Sequence, residues 1–264
     1  MVFPTMVYMG LKRIFRYPWG LLLSLVIDPF VLVLNIVLFR TIYSFSGAET
    51  IAGYEIDRMI WYFACTSFIW YWIWNFTDRN MGQRVISGDL TLDLVKPLSV
   101  FSLELSRAVS LRVSGVIFEF IPTLIVYSLV VPNSFMSVST VFHFVVSAAL
   151  AFFLFFAINF LIGLAANYIQ NTSAASAVKH ILVAGLGGSF VPFEFFPDTL
   201  AAVLRELPFA SLFYWPVSFF LDTAGGWPAF ATQSLKTLLW IALFLALDWL
   251  LWRRAIRHFT GAGG

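Results

Sequence analysis

A bundle of membrane-spanning α-helices is the fold this sequence predicts, and three observations predict it. The 264 residues are 60% hydrophobic and only 11% charged, with a mean hydropathy of +0.87. Soluble domains run at about 45–50% apolar and about 25% charged, so a water-soluble globule is excluded. The apolar runs are continuous rather than alternating, which argues against a transmembrane barrel. Finally, Lys and Arg crowd one set of connections between the runs. Disorder, collagen and coiled coil fail for lack of charge, glycine period and heptads.

Residues 1–18 come first. Val7, Leu11 and Ile14 recur at helical spacing, Lys12, Arg13 and Arg16 fall largely elsewhere, and Pro18 sets a boundary. This pattern predicts an amphipathic helix lying in the membrane interface. The alternative is a basic flank that only sets topology. A crossing needs about 20 mostly apolar residues, and six stretches qualify: Trp19 to Phe39, Met59 to Phe76, Val113 to Val131, Val141 to Ala166, Ala174 to Phe193 and Ala229 to Trp252. The first is expected to be retained rather than cleaved. It is about twice the length of a signal core, carries Asp28 and lacks an A-x-A site.

Orientation follows from the cations, since Lys and Arg favour cytoplasmic flanks. Twelve lie on one side: Lys12, Arg13, Arg16, Arg79, Arg84, Lys96, Arg107, Arg112, Lys179, Arg253, Arg254 and Arg257. Four lie on the other: Arg40, Arg58, Arg205 and Lys236. Both termini are therefore expected in the cytoplasm, which requires an even number of spans. The chain reads as one multi-pass transmembrane domain, 1–264, expected in the cell's inner (plasma) membrane.

Two connections are longer than a link needs. Residues 77–112, on the cytoplasmic side, intersperse charges of both signs, with Gly88 and Pro97 as punctuation. Met81 to Ser87 reads as a short helix ended by Gly88, and Leu90 to Val95 as a second turn stopping before Lys96-Pro97. Residues 191–222, on the outer side, hold a short helix opened at Pro197-Asp198-Thr199 and closed by Pro208. The apolar stretch Phe209 to Leu221, interrupted by Pro216, is too short to cross. A helical hairpin re-entering the outer leaflet accounts for it, packed over the spans as buried irregular backbone requires.

Charges within the spans are costly, about 2.5–3.5 kcal/mol at a helix centre, and so are functional candidates. They are Asp28, Glu119 and Asp248. Asp28 precedes Pro29 near mid-span. Glu119 lies two turns from Arg112, so a partner on another helix is as good a reading as a direct bridge. Asp248, near Arg253 and Arg254, reads first as paired with one of them. Nine of the sixteen residues from Trp61 to Phe76 are aromatic. Phe63, Trp70 and Trp74 fall near one face, a possible wall for a hydrophobic or cationic substrate. Ordinary helix and lipid packing is the favoured alternative. The one cysteine, Cys65, reads as a packing residue, and the three histidines have no metal-ligand spacing. His143 reads as an interfacial polar group. Gly185-Leu186-Gly187-Gly188 has no P-loop lysine and suits close helix packing with a local break.

Taken together these residues resemble a known family. Gly88-Asp89-Leu90-Thr91-Leu92-Asp93-Leu94-Val95-Lys96-Pro97-Leu98 is similar to the G-x-L-D-x-x-L-[LV]-[KR]-P segment of type-2 ABC transporter permeases. Pro192-Phe193, Phe195-Phe196-Pro197, Leu207-Pro208-Phe209, Tyr214-Trp215-Pro216 and the basic ending Trp252 to Phe259 also resemble that family, in the same order. Thr91 stands where the family commonly has an aspartate, although Asp89 and Asp93 flank it. The resemblance implies a six-span permease paired with a second permease, the same or a sister chain. It also implies two ATP-binding subunits docked beneath.

Arg79, Arg84, Gly88, Asp89, Leu90, Asp93, Lys96 and Pro97 would then form the coupling element. ATP and Mg would be bound by the partner ATPase, with no cofactor in this chain. The absence of an E-A-A…G loop favours the export branch, and the absence of G-x-x-x-x-G-K-[ST] implies that the chain itself hydrolyses nothing. The reading includes the lipid bilayer as a partner and no nucleic acid. A proton-coupled secondary transporter using Asp28 or Glu119 is the alternative. A membrane enzyme is disfavoured, because G-x-S-x-G, H-E-x-x-H and clustered carboxylates are lacking.

Overall fold

Helices make up nearly all of the computed structural model, which describes residues 2–14, 18–116, 120–166, 168 and 172–258. The N-terminal helix α1 (Val2–Ile14) and α2 (Pro18–Ser46) flank the expected boundary at Pro18. A minimal antiparallel hairpin follows, β1 (Thr50–Ile51) with β2 (Tyr54–Glu55), paired Thr50 to Glu55 and Ile51 to Tyr54. Next come α3 (Ile56–Ile73), α4 (Thr77–Ser87), α5 (Leu90–Leu94), α6 (Val100–Gly115), α7 (Ile121–Val130) and α8 (Val138–Ala165). The chain continues through α9 (Thr172–Leu186), a 3-10 turn at Phe193–Phe195, α10 (Asp198–Glu206), α11 (Tyr214–Phe220) and α12 (Gly226–His258).

Side-chain contacts define two ends. At one end, Tyr43 of α2 donates to the Tyr54 carbonyl at 2.6 Å, and Trp61 of α3 to the Pro132 carbonyl at 3.0 Å. There also, Tyr62 donates to the Gly188 carbonyl at 2.6 Å. At the other end α4 packs on α8 and α9, and α1 lies along α6. Two long apolar helices, α8 and α12, pack against each other along the bundle. The main core sits between α3, α8 and α11, and is built from Trp61, Tyr62, Ile69, Phe155 and Phe213. Close packing of these large side chains holds the helices together, since within a bilayer helices associate by van der Waals contact and interhelical hydrogen bonds rather than by removal of apolar surface from water.

Among the described residues, two helices are long and apolar enough to cross a membrane, Val138–Ala165 and Gly226–Ile256. Two helix boundaries differ from the sequence-based ones. Helix α6 begins at Val100, inside the connection expected over 77–112, because the Ser99 side chain accepts from the Ser102 amide and caps it. The helical part of the fifth stops at Leu186, not Phe193. A Cβ on Gly187 would collide with the Val183 carbonyl oxygen, and Gly188 takes φ +83. At 15 residues this helix rises about 22 Å, short of a bilayer core of about 30 Å. Pro216 does not interrupt a helix; it sits in the first turn of α11, where its missing N–H is harmless. His143, near the start of α8, is buried against aromatic rings, its ring 4.3 Å from Phe230 and 4.4 Å from Trp227. Other expectations hold. Gly88, at φ 79, ends α4, and α10 begins after Pro197.

Candidate functional site

The charged connection of residues 77–100 folds into a rigid element that stands against the base of the bundle. Asn75 starts it: its Nδ2 donates to the Ile73 carbonyl at 3.0 Å, and its Oδ1 accepts from the Thr77 amide at 3.3 Å. One side chain thus serves both the end of α3 and the start of α4. Arg112 serves α3 as well, donating to the Tyr71 carbonyl near the helix end. Met81 of α4 then meets Gly163 of α8, where a Cβ would lie 2.6 Å from the Met81 Cβ. Only glycine lets the two backbones approach so closely.

Two buried ionic networks fix this element. In the first, Asp78 of α4 accepts from Lys179 Nζ at 2.6 Å and Ser176 Oγ at 2.6 Å, both on α9. Lys179 also donates to Asn159 of α8, whose Nδ2 reaches Asn75 Oδ1 at 2.9 Å. The side chains of Asp78 and Lys179 are both almost wholly buried. Burial alone would raise the Asp78 carboxyl, but the Lys179 ammonium and the hydrogen bonds from Lys179 and Ser176 outweigh it, holding the carboxyl below its ordinary value.

In the second network Arg84 bridges Asp93 and Glu104, at 3.3 Å to the latter, and Lys96 Nζ lies 2.6 Å from Asp93. Arg107 pairs with Glu104. Burial pushes the Glu104 carboxyl up; Arg107 and Arg84 only partly offset this. Two buried acids thus clip α4 and α5 to α6.

The coupling residues expected from the sequence divide sharply by exposure. Leu90 and Asp93 are buried, and Arg84 is half-buried in the second network. These three build the element. Arg79, Asp89, Lys96 and Pro97 are exposed, and Gly88 sits at the corner between α4 and α5. Beside them the structure exposes apolar side chains that the sequence reading had not singled out, Leu92 at 63% and Val95 at 83%. Sequence reasoning also missed Asp78, Lys179, Asn159, Glu104 and Arg107 as members of the site. Two signals stood in the sequence: Asp78 in a helix's first turn, and Lys179 inside an apolar run.

The aromatic face divides too. Trp70 and Trp74 line a cavity of about 520 Å³ together with Ser67, Tyr71, Leu111 and Arg112. Trp74 lies 4.8 Å from His180, and Trp70 4.6 Å from Phe213. Phe63 is absent from that cavity; it stacks on Phe39 at 5.0 Å, between α2 and α3. Of the ionisable residues in the spans, the Asp28 side chain and all of Glu119 lie outside the described residues. Asp248 is described and corrects the expectation. It pairs with neither Arg253 nor Arg254, and Arg253 instead lies 3.8 Å over the Trp249 ring.

The opposite end carries a clamp centred on Glu194. Tyr54 donates to it at 3.1 Å, Tyr214 at 2.7 Å, and Arg205 Nη2 at 3.1 Å. Burial, then the Glu194 carboxylate, raises both phenols, Tyr214 to about 12. Tyr62 and Tyr214 anchor the carbonyls of Gly188 and Gly187, so the segment of residues 187–222 is tied to α3 and the hairpin.

Set beside known proteins, residues 30–263 match the model of a family described as ABC-2 family transporter protein. Neither curated proteins nor solved structures yield a match.

Proposed function

The chain belongs to the ABC-2 family of transporter membrane proteins, and on that premise we propose that it is the permease subunit of an ATP-driven exporter. Membership makes it a transmembrane permease of an ABC transporter, a component that works with ATP-binding subunits and dimerises. The finer reading is ours. Six spans cross the cell's inner membrane, with both termini in the cytoplasm. A pair of permeases, identical or sister chains, stands over two ATPase subunits that bind the ATP and Mg. Residues 77–100 form the cytoplasmic element that follows ATPase closure, and residues 191–222 cover the outer end of the path. Closure then shifts the bundle between inward and outward states rather than driving any chemistry in this chain.

One observation carries this reading: an exposed apolar tip, Leu92 and Val95, stands on an element braced by buried ion pairs. Large exposed apolar groups on a rigid support suit a partner's groove. The surrounding Arg79, Asp89 and Lys96 suit its polar rim. The bracing makes the element a lever, since Asp78 is joined directly to α9 and, through Lys179 and Asn159, to α8. A displacement of α4 therefore reaches two helices of the bundle. The proton-coupled alternative built on Asp28 or Glu119 draws no support from the family.

Cysteine crosslinking tests the reading. The chain's own Cys65 is fully buried, so Val95→Cys offers one reactive thiol. With a short bifunctional reagent, in native membranes, it should give an adduct containing an ATP-binding protein. Leu103→Cys, at a buried position, should not. Absence of the Val95 adduct would contradict the proposed docking.

A further inference from the structure

The last helix carries an acid that the transport reading does not use. Asp248 of α12 is 3% exposed. Neither carboxylate oxygen has a hydrogen-bond partner among the described residues. Arg253, the basic group near enough on its own helix, is engaged with the Trp249 ring, and Arg254 is exposed. A buried carboxylate with no partner is costly unless it binds a proton or a cation. Beside it lies a cavity of about 360 Å³, lined by Leu98, Ser99, Phe160, Trp249 and Trp252 as well as Asp248.

The chemistry of this cavity is specific. It holds one carboxylate, one hydroxyl and walls of aromatic and aliphatic side chains. A divalent metal ion requires several oxygen ligands, and no group of three or more His, Cys, Asp or Glu able to hold one exists among the described residues. An anion meets the carboxylate. An organic cation satisfies all the walls at once: its charge faces Asp248, and its apolar body faces rings that favour cations over their faces. The volume falls in the range of small-molecule sites, about 300–1,000 Å³. We infer that the cavity between α12 and the start of α6 is a binding site for a lipophilic organic monocation, held by Asp248. The ammonium of an amine-headed lipid and a free organic cation share this chemistry. The site adjoins Leu98 and Ser99, which join the charged element to α6. Its existence does not rest on the exporter reading.

Binding to the full chain in a neutral maltoside detergent tests it, with radiolabelled benzyltrimethylammonium as probe. Saturable binding is expected that neopentylbenzene, the uncharged isostere, fails to displace. Asp248→Asn should weaken binding about tenfold or more, as loss of a charged contact implies. Leu98→Trp, which fills the cavity and leaves the acid in place, should do the same, so the test survives poor folding of either variant. Short-chain phosphatidylethanolamine that competes, where phosphatidylglycerol does not, would assign the site to a lipid amine. Competition by neither would assign it to a free cation. No saturable binding, binding unchanged in well-folded Asp248→Asn, or equal displacement by neopentylbenzene would each overturn the inference.

Discussion

Removing the Lys179 ammonium exposes the energetics of the joint between the charged element and the bundle. Lys179→Met keeps the length and apolar stem of the side chain but leaves Asp78 buried without its counter-charge. Both groups are nearly inaccessible, and Nζ lies 2.6 Å from Oδ2, so solvent screening is weak. Losing one partner of such a pair costs about 3–5 kcal/mol, mainly the penalty of the stranded charge. Ser176 still donates to Asp78, which favours the lower half of that range. At about 2–4 °C per kcal/mol for a chain of about this size, the unfolding midpoint should fall by roughly 6–16 °C.

Adding Asp78→Asn removes the stranded charge and should recover much of the loss, giving an interaction energy of up to about 3 kcal/mol in the double-mutant cycle. Helical circular dichroism in detergent, heated at one fixed rate, measures all four proteins. A Lys179→Met midpoint equal to wild type, or strictly additive effects, would refute the claim that a buried ion pair locks α4 to α9.

Two further predictions concern the same joint. Gly163→Ala places a Cβ 2.6 Å from the Met81 Cβ, so α4 must move off α8. A loss of about 1–3 kcal/mol is expected, and an unchanged melting midpoint would show that the contact is looser than described. The Asp78 carboxyl, held below its ordinary value by Lys179 and Ser176 despite its burial, contributes stability that is present above about pH 4, the unfolded value. That contribution disappears as pH falls through the lower folded value. Wild type should therefore lose stability more steeply than Asp78→Asn below about pH 4; parallel acid limbs in melts at graded pH would exclude this role.

Much of the helical plan was legible in the sequence because local chemistry set it. Gly88 ends α4 where a left-handed residue is needed, and Pro197 precedes α10 where no amide is missed. The motif marks the segment expected to couple to an ATPase, yet it does not separate builders from surface. Leu90 and Leu92 read alike, and only the folded register buries the first and exposes the second. The bracing pairs were hidden by distance. Asp78 and Lys179 lie 101 positions apart, so Lys179 read as a topological flank of the fifth segment. Asp248 read as paired because two arginines follow it; Trp249 captures one of them by its ring face. Local spacing predicts reach, and competition among nearby partners decides the outcome.

The central claim is that residues 77–100 seat an ATPase through Leu92 and Val95. Affinity purification of tagged protein from its native membrane, with mass spectrometry of what accompanies it, tests that claim most directly when wild type is run beside Leu92→Asp/Val95→Asp. The account predicts a stoichiometric partner bearing a Walker A loop with wild type, and its loss from a variant that stays monodisperse in gentle detergent. An ATPase retained by the variant, or none recovered with wild type, would contradict it.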